Sequence, residues 1–134
     1  MSITNCATSE NPGNSVFPFI KLNSRNEWIL DSGASDHLSK ESNELHSYNR
    51  CNSSKPVLAL NGHPIKVQGR GRIDFFNTHV NSNVLVLPYL SFNLLSIPKI
   101  TKELNCLAIF SASHVIFQDR ITQKTIGEGH LVDG

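Results

Sequence analysis

The chain has 134 residues, the length of one compact domain, and it is too short for a two-lobed enzyme that supplies every catalytic group from one polypeptide. The 12 basic and 11 acidic residues nearly balance, so charge gives no reason to expect a partner that is a nucleic acid or a membrane. The 3 cysteines are odd in number and widely spaced, which disfavours a disulfide framework and favours a reducing, cytoplasmic location.

The first part of the chain divides into a linker, an apolar run and a polar stretch. Residues 1–26 are rich in Asn, Ser, Pro and Gly and predict a flexible N-terminal linker, of which residues 16–20 could pack on a sheet edge. The domain is expected to span residues 27–134. It opens with the apolar run 28–30, and residues 35–55 predict a long surface loop with room for one short strand.

The remainder predicts short strands and one helix. An Asn-Gly pair between the apolar runs 57–60 and 65–67 predicts a β-hairpin, because both residues tolerate positive φ. Apolar residues at 97, 100 and 104 lie on one face of a helix, for which Ser96 is a suitable cap. Other apolar runs predict strands at 73–76, 84–87, 107–110, 115–117 and 124–126. This pattern predicts an all-β barrel or sandwich with one short helix at about 97–104.

One motif carries chemistry, the run Asp31-Ser32-Gly33-Ala34 that follows the apolar residues 28–30. An apolar strand would deliver the Asp31 carboxylate to the floor of a cleft. Gly33 would let the backbone turn tightly and present its N–H to that carboxylate. Two such carboxylates held together cannot both ionise, so the pair keeps one proton and can act as base and acid on one water.

This motif resembles the active-site loop of retropepsin-like aspartic proteases, most closely the protease segment in the Pol polyprotein of copia-type retrotransposons. The likeness extends over residues 27–134 and includes Trp28, Ser35-Asp36-His37 and Asn93-Leu94-Leu95-Ser96. It implies a closed, mostly antiparallel barrel that acts as a homodimer on a Gag–Pol polyprotein. The residues agree on one point, because the chain has a single Asp-Ser/Thr-Gly sequence and so supplies half of a catalytic pair.

The resemblance assigns roles by position and implies an enzyme that needs no metal or cofactor. Asp31 would be the catalytic carboxylate, and Ser32 and Gly33 would support it. The implied substrate-binding residues are Ala34, Ser35 and Asp36, and the implied flap tip is Asn61-Gly62-His63. The expected partners are a second copy of the chain and a polypeptide substrate, with no nucleic acid and no membrane.

Other interpretations of the same residues stay open. The region around Asn93 lacks a glycine found in many retropepsins, so an alternative is a catalytically inactive Pol remnant with a structural or peptide-binding role. Asp36-His37 is equally compatible with a solvated loop pair. The histidines and cysteines lack the regular spacing of a zinc site. Residues 69–72 (Gly-Arg-Gly-Arg) favour a bulged, solvated strand segment over a phosphate site.

Overall fold

The computed structural model describes residues 16–22, 26–51, 57–58, 64–76 and 81–133. These residues form twelve strands and one helix. In chain order they are β1 (Val16–Leu22), β2 (Asn26–Asp31), β3 (His37–Ser39), β4 (His46–Arg50), β5 (Val57–Leu58), β6 (Pro64–Ile65), β7 (Gly69–Asp74), β8 (Asn81–Val86), β9 (Asn93–Ser96), α1 (Ile97–Glu103), β10 (Cys106–Phe110), β11 (His114–Asp119) and β12 (Thr125–Asp133).

Ten of the strands form one mixed sheet in the order β10-β11-β12-β1-β2-β9-β3-β8-β7-β4. The pairs β2/β9 and β3/β8 are parallel, and the other pairs are antiparallel. The prediction of an all-β fold with one short helix is confirmed. A closed barrel is not found among the described residues, because the sheet order begins at β10 and ends at β4 without pairing these two strands.

The parallel pair β2/β9 lies between two apolar clusters. Successive side chains of a strand point to opposite faces, so Trp28 and Leu30 enter the larger cluster whereas Ile29 enters the smaller one. The same alternation divides Leu95 and Leu94 of β9 between the two clusters. Burial on both faces explains why the apolar residues 28–30 of β2 and 94–95 of β9 are consecutive instead of alternating with polar residues.

Helix α1 occupies Ile97–Glu103, close to the predicted range of 97–104. The Ser96 hydroxyl caps it, and Pro98 lies in the first turn, where the missing N–H has no helical partner to lose. Ile100 and Leu104 join the larger apolar cluster, as the periodicity predicts. Within the described ranges, no helix has the length and apolar character needed to cross a membrane.

Three predictions from the sequence concern the N-terminal half of the chain. Strand β1 lies within the predicted linker and pairs with both β12 and β2, so it is internal to the sheet and not at an edge. The flexibility of the rest of that linker stays a prediction, since residues 1–15 lie outside the described residues. The polar stretch 35–55 contains two strands, and the first of these, β3, is fully buried.

Two further expectations concern residues 57–72. Strands β5 and β6 pair antiparallel, as expected for the predicted hairpin, while the proposed tip Asn61-Gly62-His63 lies outside the described residues. The Gly-Arg-Gly-Arg segment lies in β7, with exposed Arg70 and Arg72. Its pairing with β8 is regular, so the predicted bulge is wrong for this pair. The irregularity instead falls on β4, between His46 and Asn49.

Candidate functional site

Asp31 is the last residue of β2 and lies opposite Ser96, the last residue of β9, in the parallel pair. Its apolar neighbours Ile29 and Leu30 are buried in the two clusters, and they carry the aspartate inward with them. The Asp31 side chain is only 2% exposed. An apolar strand therefore delivers a carboxylate into the protein interior. The predicted position of Asp31 on the floor of a cleft stays a prediction.

The turn after β2 provides a backbone donor to only one of the two Asp31 carboxylate oxygens. The Gly33 N–H donates to Asp31 Oδ1 at 3.0 Å, the contact that the motif predicts for this N–H. Asp31 Oδ2 is buried and has no hydrogen-bond partner among the described residues. Burial raises the pKa of Asp31, and the N–H groups of Gly33 and Ala34 oppose this rise without cancelling it. Asp31 is thus a carboxyl group that retains its proton more readily than an exposed aspartate.

The hydroxyl of Ser96 joins this turn to helix α1. It donates to the Ala34 carbonyl oxygen at 2.5 Å and accepts from the Lys99 N–H at 3.1 Å. Ser96 is fully buried, so each of these bonds replaces one that water would otherwise make. One side chain therefore fixes both the end of the Asp31 turn and the start of the helix.

His37, the first residue of β3, lies behind Ser96 and is fully buried. Its Nδ1 accepts the Ser96 N–H at 3.0 Å, and its Nε2 lies 3.2 Å from Glu103 Oε1. Burial lowers the pKa of His37, although the bond to Glu103 opposes this effect. The interpretation of Asp36-His37 as a solvated loop pair is therefore wrong for His37.

Glu103 completes a buried polar cluster at the end of α1. Its Oε1 also accepts the Ser82 hydroxyl at 2.7 Å. Burial acts to raise the pKa of Glu103, but the hydrogen bonds from His37 and Ser82 outweigh it and the net shift is downward. Glu103 is thus a carboxylate with two donors. The ring of His37 also packs edge-on against Phe75, with centroids 4.9 Å apart.

The other predicted site residues follow Asp31 directly but differ in exposure. Ser32 and Ser35 are exposed, Gly33 is half-buried and Ala34 is buried. The Asp36 side chain is 46% exposed, with its carboxylate 4.0 Å from Lys99 Nζ. The structure therefore brings the residues of the Asp31 turn together, and their roles toward a substrate stay predictions. The implied flap residues lie outside the described residues.

A separate groove of about 560 Å³ lies between α1 and β10 and contains none of the predicted site residues. It is lined by Ile97, Thr101, Lys102, Asn105, Cys106, Leu107, Ala108, Phe110 and Arg120. Across the described ranges, no group of three or more His, Cys, Asp or Glu side chains is arranged to hold a metal ion.

Sequence reasoning missed the roles of His37 and Glu103 at this site. Ser96 carried a signal as a helix cap, but its bond to Ala34 depends on the parallel register of β2 and β9, which the sequence does not reveal. Glu103 lies 66 positions after His37 along the chain, so no local spacing indicates their contact.

The comparison with protein families identifies the class to which this fold and turn belong. The family described as Pol polyprotein, beta-barrel domain matches residues 28–105, more than half of the chain and a range that begins just before Asp31 and ends just after α1. The chain belongs to this family and is a Pol-derived domain. Comparisons with curated proteins and with solved structures gave no significant match.

The Ser96 hydroxyl should contribute measurably to stability. Replacing Ser96 with Ala leaves the buried Ala34 carbonyl and the Lys99 N–H without their partner. We expect Ser96→Ala to lower the free energy of unfolding by about 1–3 kcal/mol, measured by urea denaturation. The matched control is Ser35→Ala, whose exposed hydroxyl contacts only its neighbour Asp36 at 3.3 Å and which should change stability by less than about 0.5 kcal/mol. Equal effects of the two variants would contradict the role given to Ser96.

The raised pKa of Asp31 predicts how stability depends on pH. Because the folded state holds this proton more tightly than the unfolded chain does, Asp31 contributes stability below its ordinary pKa of 3.8 that is lost as pH rises through the folded value. Asp31→Asn cannot ionise. The free energy of unfolding of Asp31→Asn minus that of wild type should therefore be larger at pH 7 than near pH 3. The measurement is denaturation across pH, with Asp36→Asn as the half-exposed control. A difference between wild type and Asp31→Asn that does not change with pH would show that burial does not raise the pKa of Asp31.

Proposed function

We propose that this chain is a homodimeric aspartic endopeptidase of the retropepsin type, which cleaves a retrotransposon polyprotein. The observation that carries the proposal is the environment of Asp31. A buried strand delivers this carboxyl to the Asp-Ser-Gly-Ala turn. The Gly33 N–H donates to one carboxyl oxygen, and the other oxygen has no partner among the described residues. Membership of a Pol-derived family supports the polyprotein substrate.

The unpartnered Asp31 oxygen is the chemical reason for proposing a second copy. A carboxyl buried at this level is costly unless its second oxygen gains a partner. For the Asp31 carboxyl of another copy to supply that partner, the groups that cover Oδ2 in the single chain must move aside. Two carboxyls in contact then share one proton in a hydrogen bond. Burial has already shifted the pKa of Asp31 toward retention of this proton.

A shared proton allows the pair to hydrolyse a peptide bond without a cofactor. The ionised carboxylate removes a proton from a water molecule, whose oxygen attacks the scissile carbonyl carbon. The protonated carboxyl donates its proton to the carbonyl oxygen as the tetrahedral intermediate forms. The pair then gives its proton to the amide nitrogen and takes one from a hydroxyl of the intermediate as the C–N bond breaks, so the pair again holds one proton.

Strand β10 supports self-association because it is an apolar strand at the end of the sheet. It contains no charged residue, and its side chains Leu107, Ile109 and Phe110 are 44%, 41% and 51% exposed. Charged residues usually protect a sheet edge from pairing with another chain, and β10 lacks them. Antiparallel pairing of β10 with its own copy would give the backbone N–H and C=O groups along this edge hydrogen-bond partners. The resulting interface would have twofold symmetry.

The proposed activity is tested by cleavage of peptides that tile a Gag–Pol polyprotein, with products identified by mass spectrometry at mildly acidic pH. We expect specific cleavage by wild type and a loss of at least about 1,000-fold in Asp31→Asn, since an amide cannot take the proton from water. Asp119→Asn is the matched control, because this partly exposed aspartate accepts hydrogen bonds in a turn remote in sequence and should remain dispensable for cleavage.

Equal cleavage by wild type and Asp31→Asn would exclude the aspartic mechanism. Absence of cleavage by a folded wild-type dimer would instead favour the alternative, in which the domain is an inactive Pol remnant with a structural or peptide-binding role. Isothermal titration with the same peptides separates peptide binding from a purely structural role.

The proposed dimer is tested by placing a charge on β10. We expect Ile109→Glu to shift the protein from dimer to monomer in analytical ultracentrifugation at micromolar concentration and to lose cleavage with it, because a buried unpaired carboxylate strongly opposes association. The matched control is Ile121→Glu, at an 81% exposed isoleucine in the turn between β11 and β12, which should stay dimeric. A dimer that survives Ile109→Glu would exclude β10 as the interface.

A further inference from the structure

The polar cluster behind the Asp31 turn has more buried hydrogen bonds than packing alone requires. His37 uses both ring nitrogens, one toward the Ser96 peptide and one toward Glu103. A leucine of similar size would fill the same space beside Phe75 without burying polar atoms. The two bonds of His37 therefore invite an explanation other than stability.

The partners of His37 determine where its proton lies. The Ser96 N–H can only donate, so Nδ1 must carry a lone pair. In the neutral ring the proton is then on Nε2, from which it is donated to the Glu103 carboxylate. This arrangement is available to neutral His37 alone, because a protonated imidazole presents an N–H at both nitrogens.

A continuous set of contacts leads from this ring to the Asp31 carboxylate. Nδ1 of His37 holds the Ser96 backbone, and the Ser96 hydroxyl holds the Ala34 carbonyl. Ala34 and Gly33 are the residues whose N–H groups face the Asp31 carboxylate. A displacement of Ser96 would therefore move the donors on which the ionisation of Asp31 depends.

We propose that His37 is a positioning residue, which in its neutral form holds Ser96 so that Ser96 and Ala34 fix the turn around Asp31. Its consequence for peptide cleavage rests on the function proposed above, whereas its consequence for the turn does not. Protonation of His37 would place a hydrogen on Nδ1 against the Ser96 N–H and release the turn. The position of Asp31 is then coupled to the charge of a residue that is itself fully buried.

The charged groups that face His37 define the pH at which this release occurs. Glu103 and Asp36 favour the protonated ring, whereas burial and the nearby Lys99 ammonium disfavour it, and the net effect lowers the pKa of His37 below 6.5. The other groups in contact, Ser96 and Phe75, carry no charge. Release is therefore expected only on the acid side of the usual histidine range, and it would set an acid limit on the site.

The experiment compares two variants of the full chain by NMR. In His37→Asn, the side-chain oxygen can replace Nδ1 as the acceptor but cannot titrate, whereas His37→Leu removes the acceptor. We expect His37→Leu to shift the Gly33 and Ala34 amide resonances and the titration midpoint of the Asp31 carboxyl carbon. His37→Asn should keep the neutral-pH signals of wild type and lose the part of their change at acid pH that follows protonation of His37, while the part due to Asp31 itself remains. His114→Leu is the matched control, at an exposed histidine of β11.

Activity provides a second, separable measurement. If the chain cleaves peptides, His37→Leu should lower kcat by roughly 10- to 100-fold with little change in KM, and His37→Asn should restore most of it and extend activity to lower pH. If the chain cleaves nothing, the proposed function fails but the NMR titration still tests the positioning role. Unchanged Gly33, Ala34 and Asp31 signals in His37→Leu would overturn the proposal.

A direct measurement covers the case in which His37→Leu does not fold. The imidazole nitrogens of wild type can be observed by long-range 15N–1H correlation across pH. We expect the neutral ring with its proton on Nε2 at pH 7, and a change at Ala34 that follows the protonation of His37. A proton on Nδ1 at pH 7, or protonation without a change at Ala34, would equally overturn the proposal.

Discussion

The parallel pairing of β2 with β9 is the constraint on which the candidate site depends. It sets Asp31 opposite Ser96, and this register alone allows the Ser96 hydroxyl to reach the Ala34 carbonyl while capping α1. A shift of β9 by one residue would exchange its two faces, so that Leu94 and Leu95 would trade clusters. The apolar burial on two faces thus fixes the register, and the register fixes the site.

The buried polar groups around Asp31 differ in how many of their polar atoms have a hydrogen-bond partner. A satisfied hydrogen bond contributes only about 1 kcal/mol, but a buried group without a partner costs about 1–3 kcal/mol. Ser96 and His37 are satisfied on every side that the structure describes, whereas Asp31 is satisfied at one oxygen only. The unpartnered Asp31 oxygen therefore leaves part of its desolvation cost uncompensated in the single chain. The same comparison explains why the groups around Asp31 hold the turn.

The sequence predicts the contacts that form between residues close together along the chain. The bond from Gly33 to Asp31 and the helix that Ser96 caps follow from residues within a few positions of each other, and both were predicted. Contacts that depend on distant pairing were not predictable. Burial of His37 requires β9, Phe75 and Glu103 to meet across the sheet, and a short polar segment gives no sign of it. The internal position of β1 likewise depends on pairing with β12 at the far end of the chain.

The location of Glu103 indicates that its carboxylate is stabilised by its hydrogen-bond partners and not by the helix dipole. Glu103 is the last residue of α1, where a negative charge opposes the helix dipole at a cost of about 0.3–1 kcal/mol. Two hydrogen bonds to a charged group, from His37 and Ser82, contribute about 1.5–3 kcal/mol each and offset that cost. A glutamate at this place is therefore unfavourable for the helix by itself and favourable only through its partners. Because one of those partners holds Ser96, the end of α1 is tied to its beginning, and both are tied to the turn that carries Asp31.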